Sequence, residues 1–206
     1  MPGIELKSLS ERQQQLAESA RLALERGQLD YVLEVTSEIL RLAPGCVSVR
    51  RLQRAAQLGR FRQQGSALNR MRAGIGFVLL WLRHEQSPSK RLAAAERLLA
   101  IAPTQCGALK LFADAALALK WPETAAFARE AVRELQPGDR ANLMALGEAW
   151  IGAGDPAAAL AVAEDVLREA PADGPALELL RHASIAQALT QGRRESPGSF
   201  REKLWA

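Results

Sequence analysis

Acidic residues are missing from one long stretch of this chain: between Ile39 and His84 there is no Asp or Glu. Aromatics are scarce too, at 5% of the 206 residues, and there are only two cysteines. Each shortage excludes something. Cys46 and Cys106 stand far apart, with no further Cys or His spaced to complete a metal site, so neither a zinc centre nor a disulfide framework is expected. Both closely follow a proline (Pro44, Pro103) and read as small packing residues between helices. The longest strongly apolar run, Ile75 to Leu82, falls well short of the roughly 20 residues that span a bilayer. The opening residues lack a basic stretch followed by an apolar core, which argues against a secretory leader and for a cytoplasmic protein. Phosphate-binding, zinc-protease and serine-hydrolase motifs are missing as well. Gly74-Ile75-Gly76 has neither the third glycine nor the preceding strand of a dinucleotide loop. His182 and Ser184 are two apart on a helix, lean to different faces, and cannot serve as base and nucleophile. No catalytic activity, metal or cofactor is expected.

What the chain does contain is alanine and leucine within a 48% hydrophobic composition. Alanine loses no side-chain entropy and lets helix backbones approach closely, so tightly packed helices follow. Proline punctuates them. Pro103, Pro137 and Pro171 are 34 residues apart, and each closes an apolar stretch. Proline cannot continue a helix, so a regular proline marks a regular boundary. In the clearest unit, Leu143, Leu146, Gly147 and Trp150 share one helical face. Gly154-Asp155-Pro156 then breaks the chain, with Asp155 as a cap and Pro156 in a first turn. A second helix follows, with Ala159, Val162, Ala163 and Val166 on one face.

These residues resemble the tetratricopeptide family, whose first-helix pattern matches Leu143, Leu146-Gly147 and Trp150, with Ala159 and Pro171 at its later positions. Gly147 would there let the two helices of its hairpin touch. The preceding unit fits more loosely through Leu109, Phe112, Ala113, Ala116, Ala125 and Pro137, with Arg129 in place of a core aromatic and Lys120 in place of the usual glycine. In the unit ending at Pro103, Ile75, Val78, Leu79 and Leu82 match and Arg91 replaces the small residue; a first unit keeps Leu16, Ala20, Ala23, Gly27 and Pro44. The resemblance implies an all-α fold, a right-handed superhelix of antiparallel helix pairs over residues 13–190. Residues 1–12 would be an N-terminal extension and 191–206 a linker with a capping or docking tail bearing Phe200, Leu204 and Trp205.

It also implies a concave groove that holds a protein or peptide. Leu80, Arg83 and His84 would line it from one unit, Lys110, Asp114 and Leu117 from the next, then Met144, Glu148 and Ile151, and finally Glu178 and His182. Asp114, Glu148 and Glu178 would repel the terminal carboxylate that some family members clamp, so that activity is not carried over. Between Pro44 and Pro103 the period fails. A helix over 47–58, a loop near 59–66 and a longer helix over 67–85 are expected there. The acid-free block carries nine arginines, including Arg50, Arg51, Arg54, Arg60, Arg62, Arg70 and Arg72, between flanks of net negative charge. Arginine favours bidentate contact with carboxylate or phosphate, so the block reads either as a site for an acidic segment of a protein partner or as a solvated helix face of a chain that uses arginine far more than lysine. RNA is the alternative. Phe61 is the one aromatic between Arg41 and Arg72, which leaves little to stack bases on.

Overall fold

The computed structural model describes residues 6–63 and 87–195, and among these there are nine α-helices and no strand. A single 3-10 turn, Leu6–Ser8, precedes them. The helices are α1 (Glu11–Glu25), α2 (Leu29–Leu42), α3 (Val47–Gln63), α4 (Pro88–Ile101), α5 (Cys106–Ala118), α6 (Pro122–Leu135), α7 (Arg140–Ala153), α8 (Pro156–Glu169) and α9 (Gly174–Glu195). They form two compact units divided between Pro137 and Gly138. No helix among the described residues is long and apolar enough to cross a membrane.

The boundaries follow from local chemistry. Pro44, Pro103, Pro137 and Pro171 each lie two residues beyond the last residue of a helix, as the punctuation requires. At the other ends, Ser10 and Gln13 form a reciprocal capping box on α1, and Pro156 opens α8 behind Asp155, which accepts a hydrogen bond from Ala158 N at 3.1 Å. Asp139 and Asp173 cap α7 and α9 in the same way.

Three of the helix-to-helix turns share one backbone pattern. Gly27 N donates to Leu24 O and Gln28 N to Ala23 O; Lys120 N and Trp121 N, then Gly154 N and Asp155 N, repeat the arrangement. The turn residue must be left-handed in each, with φ of 72° at Gly27, 61° at Lys120 and 81° at Gly154. Lys120 is the one non-glycine residue among those described with positive φ, and its Cβ makes that conformation costly. Lys120→Gly should therefore raise stability by about 0.5–1 kcal/mol, after subtracting glycine's larger unfolded-state entropy. Chemical denaturation would read this as a higher midpoint, and an unchanged or lower midpoint would count against strain at this turn.

In the N-terminal unit, α1 buries Ala17, Ala20 and Ala23, α2 buries Val32, Val35 and Ile39, and α3 buries Val49 and Ala56. Leu109, Phe112, Ala113 and Ala116 on α5 meet Ala125 and its neighbours on α6, all buried. In the C-terminal unit α7, α8 and α9 pack on one another. Leu146 and Gly147 on α7 and Ala159, Val162, Ala163 and Val166 on α8 are buried, which are the faces the period assigns. Cys46 is fully buried and Cys106 half-buried, and neither forms a disulfide.

Three sequence expectations need correction. The helix beginning at Val47 does not stop at Leu58 but continues through Gly59 to Gln63. Gly59 is tolerated there because α3 lies close to α2, where an added Cβ would meet Leu29 Cδ1 at 3.0 Å. The last helix runs on to Glu195, since no proline interrupts it before Pro197, so the first part of the expected linker is helical. At Gly147 the nearest side chain is Leu179 on α9 rather than one from the hairpin partner α8. Arg129, at a core aromatic's position, is itself buried at 8% exposure and forms an ion pair with Asp114. The helix expected over 67–85 and the tail from 196 onward lie outside the described residues.

Candidate functional site

In the N-terminal unit α2 packs closely on α3, and α4 on α5, while α3 meets α4 only lightly. A cavity of about 530 Å3 opens where α3 and α4 part, lined from α2, α3, α4, α5 and α6. That volume lies within the range of ligand sites. Apart from Arg50 its buried lining is apolar, with Leu40, Leu92, Leu99, Leu109, Phe112 and Ala128, whereas Ser37, Arg41, Arg97 and Ala100 are exposed.

Helical spacing explains how arginine reaches it. Arg50, Gln53, Arg54, Gln57 and Arg60 recur along α3 at intervals of three and four, so one face of the helix delivers them all. With Arg41 and Arg97 this makes five arginines among the described residues of the wall, against Glu96 as the single carboxylate among them. Arg50 is the most enclosed, at 4% exposure. Its Nε donates to Pro44 O at 2.8 Å and its Nη1 to Glu96 Oε1 at 2.8 Å, and the guanidinium lies 4.8 Å from the centroid of the Phe112 ring. Its Nη2 has no acceptor among the described residues. Leaving such a donor unmatched costs about 1–3 kcal/mol, and more when it is charged. Burial pulls the Arg50 pKa below its ordinary value, with the Glu96 carboxylate opposing. Burial also lowers that of Arg54, opposed by the field of Glu134. Arginine nonetheless keeps its proton at neutral pH, so the wall retains its positive charge.

Arg54 is half-buried and its Nη1 donates to Pro103 O at 2.9 Å. Arg60 reaches Asp30 on α2 at 3.4 Å, an exposed pair of little energetic weight. Arg51 and Arg62 are exposed and do not line the cavity. The expected basic patch is thus split, part turned inward and part left on the surface. Arg70 and Arg72 lie outside the described residues.

Of the expected groove residues that are described, Glu148 and His182 come within contact of one another. Lys110, Asp114 and Leu117 follow one face of α5, half-buried, exposed and exposed. Asp114 is committed to Arg129, whose Nη2 donates to it at 2.5 Å. In the C-terminal unit Met144 and Ile151 on α7 are half-buried, Glu148 is exposed, and Glu178 and His182 on α9 are exposed. Glu148 Oε1 and His182 Nδ1 approach to 3.5 Å across α7 and α9. Ser184 Oγ donates to Leu180 O at 2.7 Å, within its own helix. Leu80, Arg83 and His84 lie outside the described residues, and no cluster of metal-binding side chains is found among the described ones.

Sequence reasoning missed Glu96, Arg97 and Phe127 as parts of a site. Arg97 falls beyond the acid-free block, and the pairing of Arg50 with Glu96 spans 46 residues without a local signal. No known protein-family model matches the chain, and no curated protein matches its sequence.

Proposed function

We propose that this chain is a protein-holding adaptor of the tetratricopeptide type, an α-solenoid working in the cytoplasm, and that it takes an acidic segment of a protein partner in the cavity of its N-terminal unit. The observation that carries the reading is the composition of that wall, which among the described residues has five arginines and one carboxylate around a leucine- and phenylalanine-lined cavity. Supporting the repeat assignment are the 34-residue prolines at helix ends and the turn pattern shared by Gly27, Lys120 and Gly154. The role asks for no chemistry on the partner and no cofactor. RNA association through the arginines has less support, because Arg50 is buried against Phe112 and Glu96 instead of being presented to a phosphate backbone.

A photo-crosslinking residue at Gln57, in the cavity wall, tests this against the same residue at Glu164 on the exposed face of α8. Irradiation in cells of the source should give a small set of protein adducts from position 57 that position 164 does not give. Ribonuclease treatment should leave them unchanged, and charge reversal by Arg54→Glu should abolish them. The same abundant proteins from both positions would sink the reading, and loss of the adducts on ribonuclease treatment would favour RNA.

A further inference from the structure

The wall of the cavity constrains what the partner segment carries, and the following inference rests on the protein-holding role proposed above. Arg50 already has a structural use for two of its nitrogens, on Pro44 O and Glu96 Oε1, and Phe112 covers a face of the guanidinium. Those contacts account for its Nε and Nη1. They do not account for Nη2, which is buried on a residue lining the cavity and has no acceptor among the described residues. Arg54 stands one turn further along α3, on the same face, and lines the same cavity. A pair of guanidinium groups one turn apart is suited to a carboxylate, whose two oxygens accept forked N–H donors. Nη2 is closed to solvent, so its charge is answered only through the field of an anion lying in the cavity beside it. The buried lining beside the pair is hydrocarbon, including Leu99 and Phe112, which rewards an apolar group next to the anion.

We infer that the cavity recognises an acidic side chain flanked by a leucine or phenylalanine on an extended partner segment, the carboxylate held by Arg54 in the field of Arg50 and the apolar neighbour lying against Leu99 and Phe112. A protein segment is favoured over a small anion because the exposed lining, Arg41 and Arg97 among it, lets a chain continue past the cavity. The carboxylate is a side chain's, so the recognised element lies within the partner sequence and does not depend on its terminus.

Fluorescence anisotropy with the full chain tests this directly. The probe is a fluorescein-labelled, C-terminally amidated peptide, SGELEFEGS, compared with its amide counterpart SGQLQFQGS and with SGESESEGS, which keeps the charge without the apolar residues. Removing a charge-assisted hydrogen bond is expected to weaken binding about tenfold or more, so the glutamine peptide should bind at least tenfold more weakly. The serine peptide should also bind more weakly, and by a margin that persists at high salt. Arg50→Gln and Arg54→Gln should each weaken the first peptide about tenfold while leaving the glutamine peptide unchanged; if Arg50→Gln fails to fold, Arg54→Gln carries the comparison alone. Equal affinity for the glutamate and glutamine peptides overturns the carboxylate, and equal affinity for the serine peptide overturns the apolar neighbour. No binding of SGELEFEGS at any concentration overturns the inference as a whole. Adducts at position 57 that persist when Arg54→Gln has no effect would leave the adaptor reading standing and remove only this one.

Discussion

Gly147→Leu abolishes folding of the C-terminal unit. A Cβ placed on Gly147 would clash with the Leu179 side chain, at 2.8 Å from Cδ1 and 3.0 Å from Cγ, closer than real Cβ contacts lie. The obstacle cannot swing aside into solvent, because Leu179 is 2% exposed and held between helices. Overpacking by a single methyl costs about 1–3 kcal/mol in a well-packed core, so Gly147→Ala alone should cost about that much. A leucine adds three more carbons at the same place, against a small unit whose whole stability is only a few kcal/mol. Hydrogen exchange on the full chain separates the outcomes. Amides of α7, α8 and α9 should lose protection in Gly147→Leu, while those of α1, α2 and α5 keep theirs. Because the clash is with one side chain, Leu179→Ala should recover part of the loss in the Gly147→Ala background, a positive coupling that unrelated sites would not show. Wild-type protection in Gly147→Leu would mean that α7 and α9 do not approach at this residue.

Gly147 also marks how far the sequence could be read. Its place on a buried helix face was legible, because Leu143, Leu146 and Trp150 recur at helical spacing around it, and that pattern is local. The identity of its neighbour was not, since Leu179 lies in a later helix and no periodicity within α7 encodes which helix packs against it. The prolines behave like the first case. Each acts on its own backbone, so Pro44, Pro103, Pro137 and Pro171 gave the helix ends closely. Gly59 behaves like the second. Its low helix propensity suggested a loop, but packing against Leu29 overrode the roughly 1 kcal/mol that propensity weighs.

The candidate site divides along the same line. A run of arginines without acids was plain in the sequence, though not whether it was a binding site or a solvated face. That Arg50 and Arg54 face a cavity while Arg51 and Arg62 face solvent was recoverable only once the buried face of α3 was known. Glu96 was beyond reach altogether, because what assigns it to Arg50 is the packing of the helices and not the spacing of residues. The groove residues were placed by resemblance and not by physics, which is why the commitment of Asp114 to Arg129 was not anticipated.

The pairing of Arg50 with Glu96 leads to the other large expected effect, an asymmetry between its two members. Arg50 is buried at 4% side-chain exposure and Glu96 is 40% exposed. Neutralising Glu96 by Glu96→Gln leaves a guanidinium enclosed with its main counter-charge gone. Removing one partner of a fully buried pair costs about 3–5 kcal/mol, and the partial exposure of Glu96 reduces this to about 2–3 kcal/mol. Arg50→Met removes the charge together with its desolvation cost, and methionine keeps much of the volume against Phe112. Its penalty should be nearer 1 kcal/mol, from the lost bond to Pro44 O. Glu96→Gln is therefore more destabilising than Arg50→Met, and in the double variant most of the Glu96→Gln cost should vanish, since a neutral pair has no charge to strand. Thermal unfolding should place the midpoint of Glu96→Gln about 5–10 °C below wild type. An acidic peptide that places a carboxylate in the cavity beside Arg50 supplies the missing counter-charge, so SGELEFEGS should raise the midpoint of Glu96→Gln more than that of wild type, and SGQLQFQGS should raise neither as much. If Arg50→Met proves the more harmful substitution, Arg50 is chiefly a packing and hydrogen-bonding residue, and its charge plays no part in holding a partner.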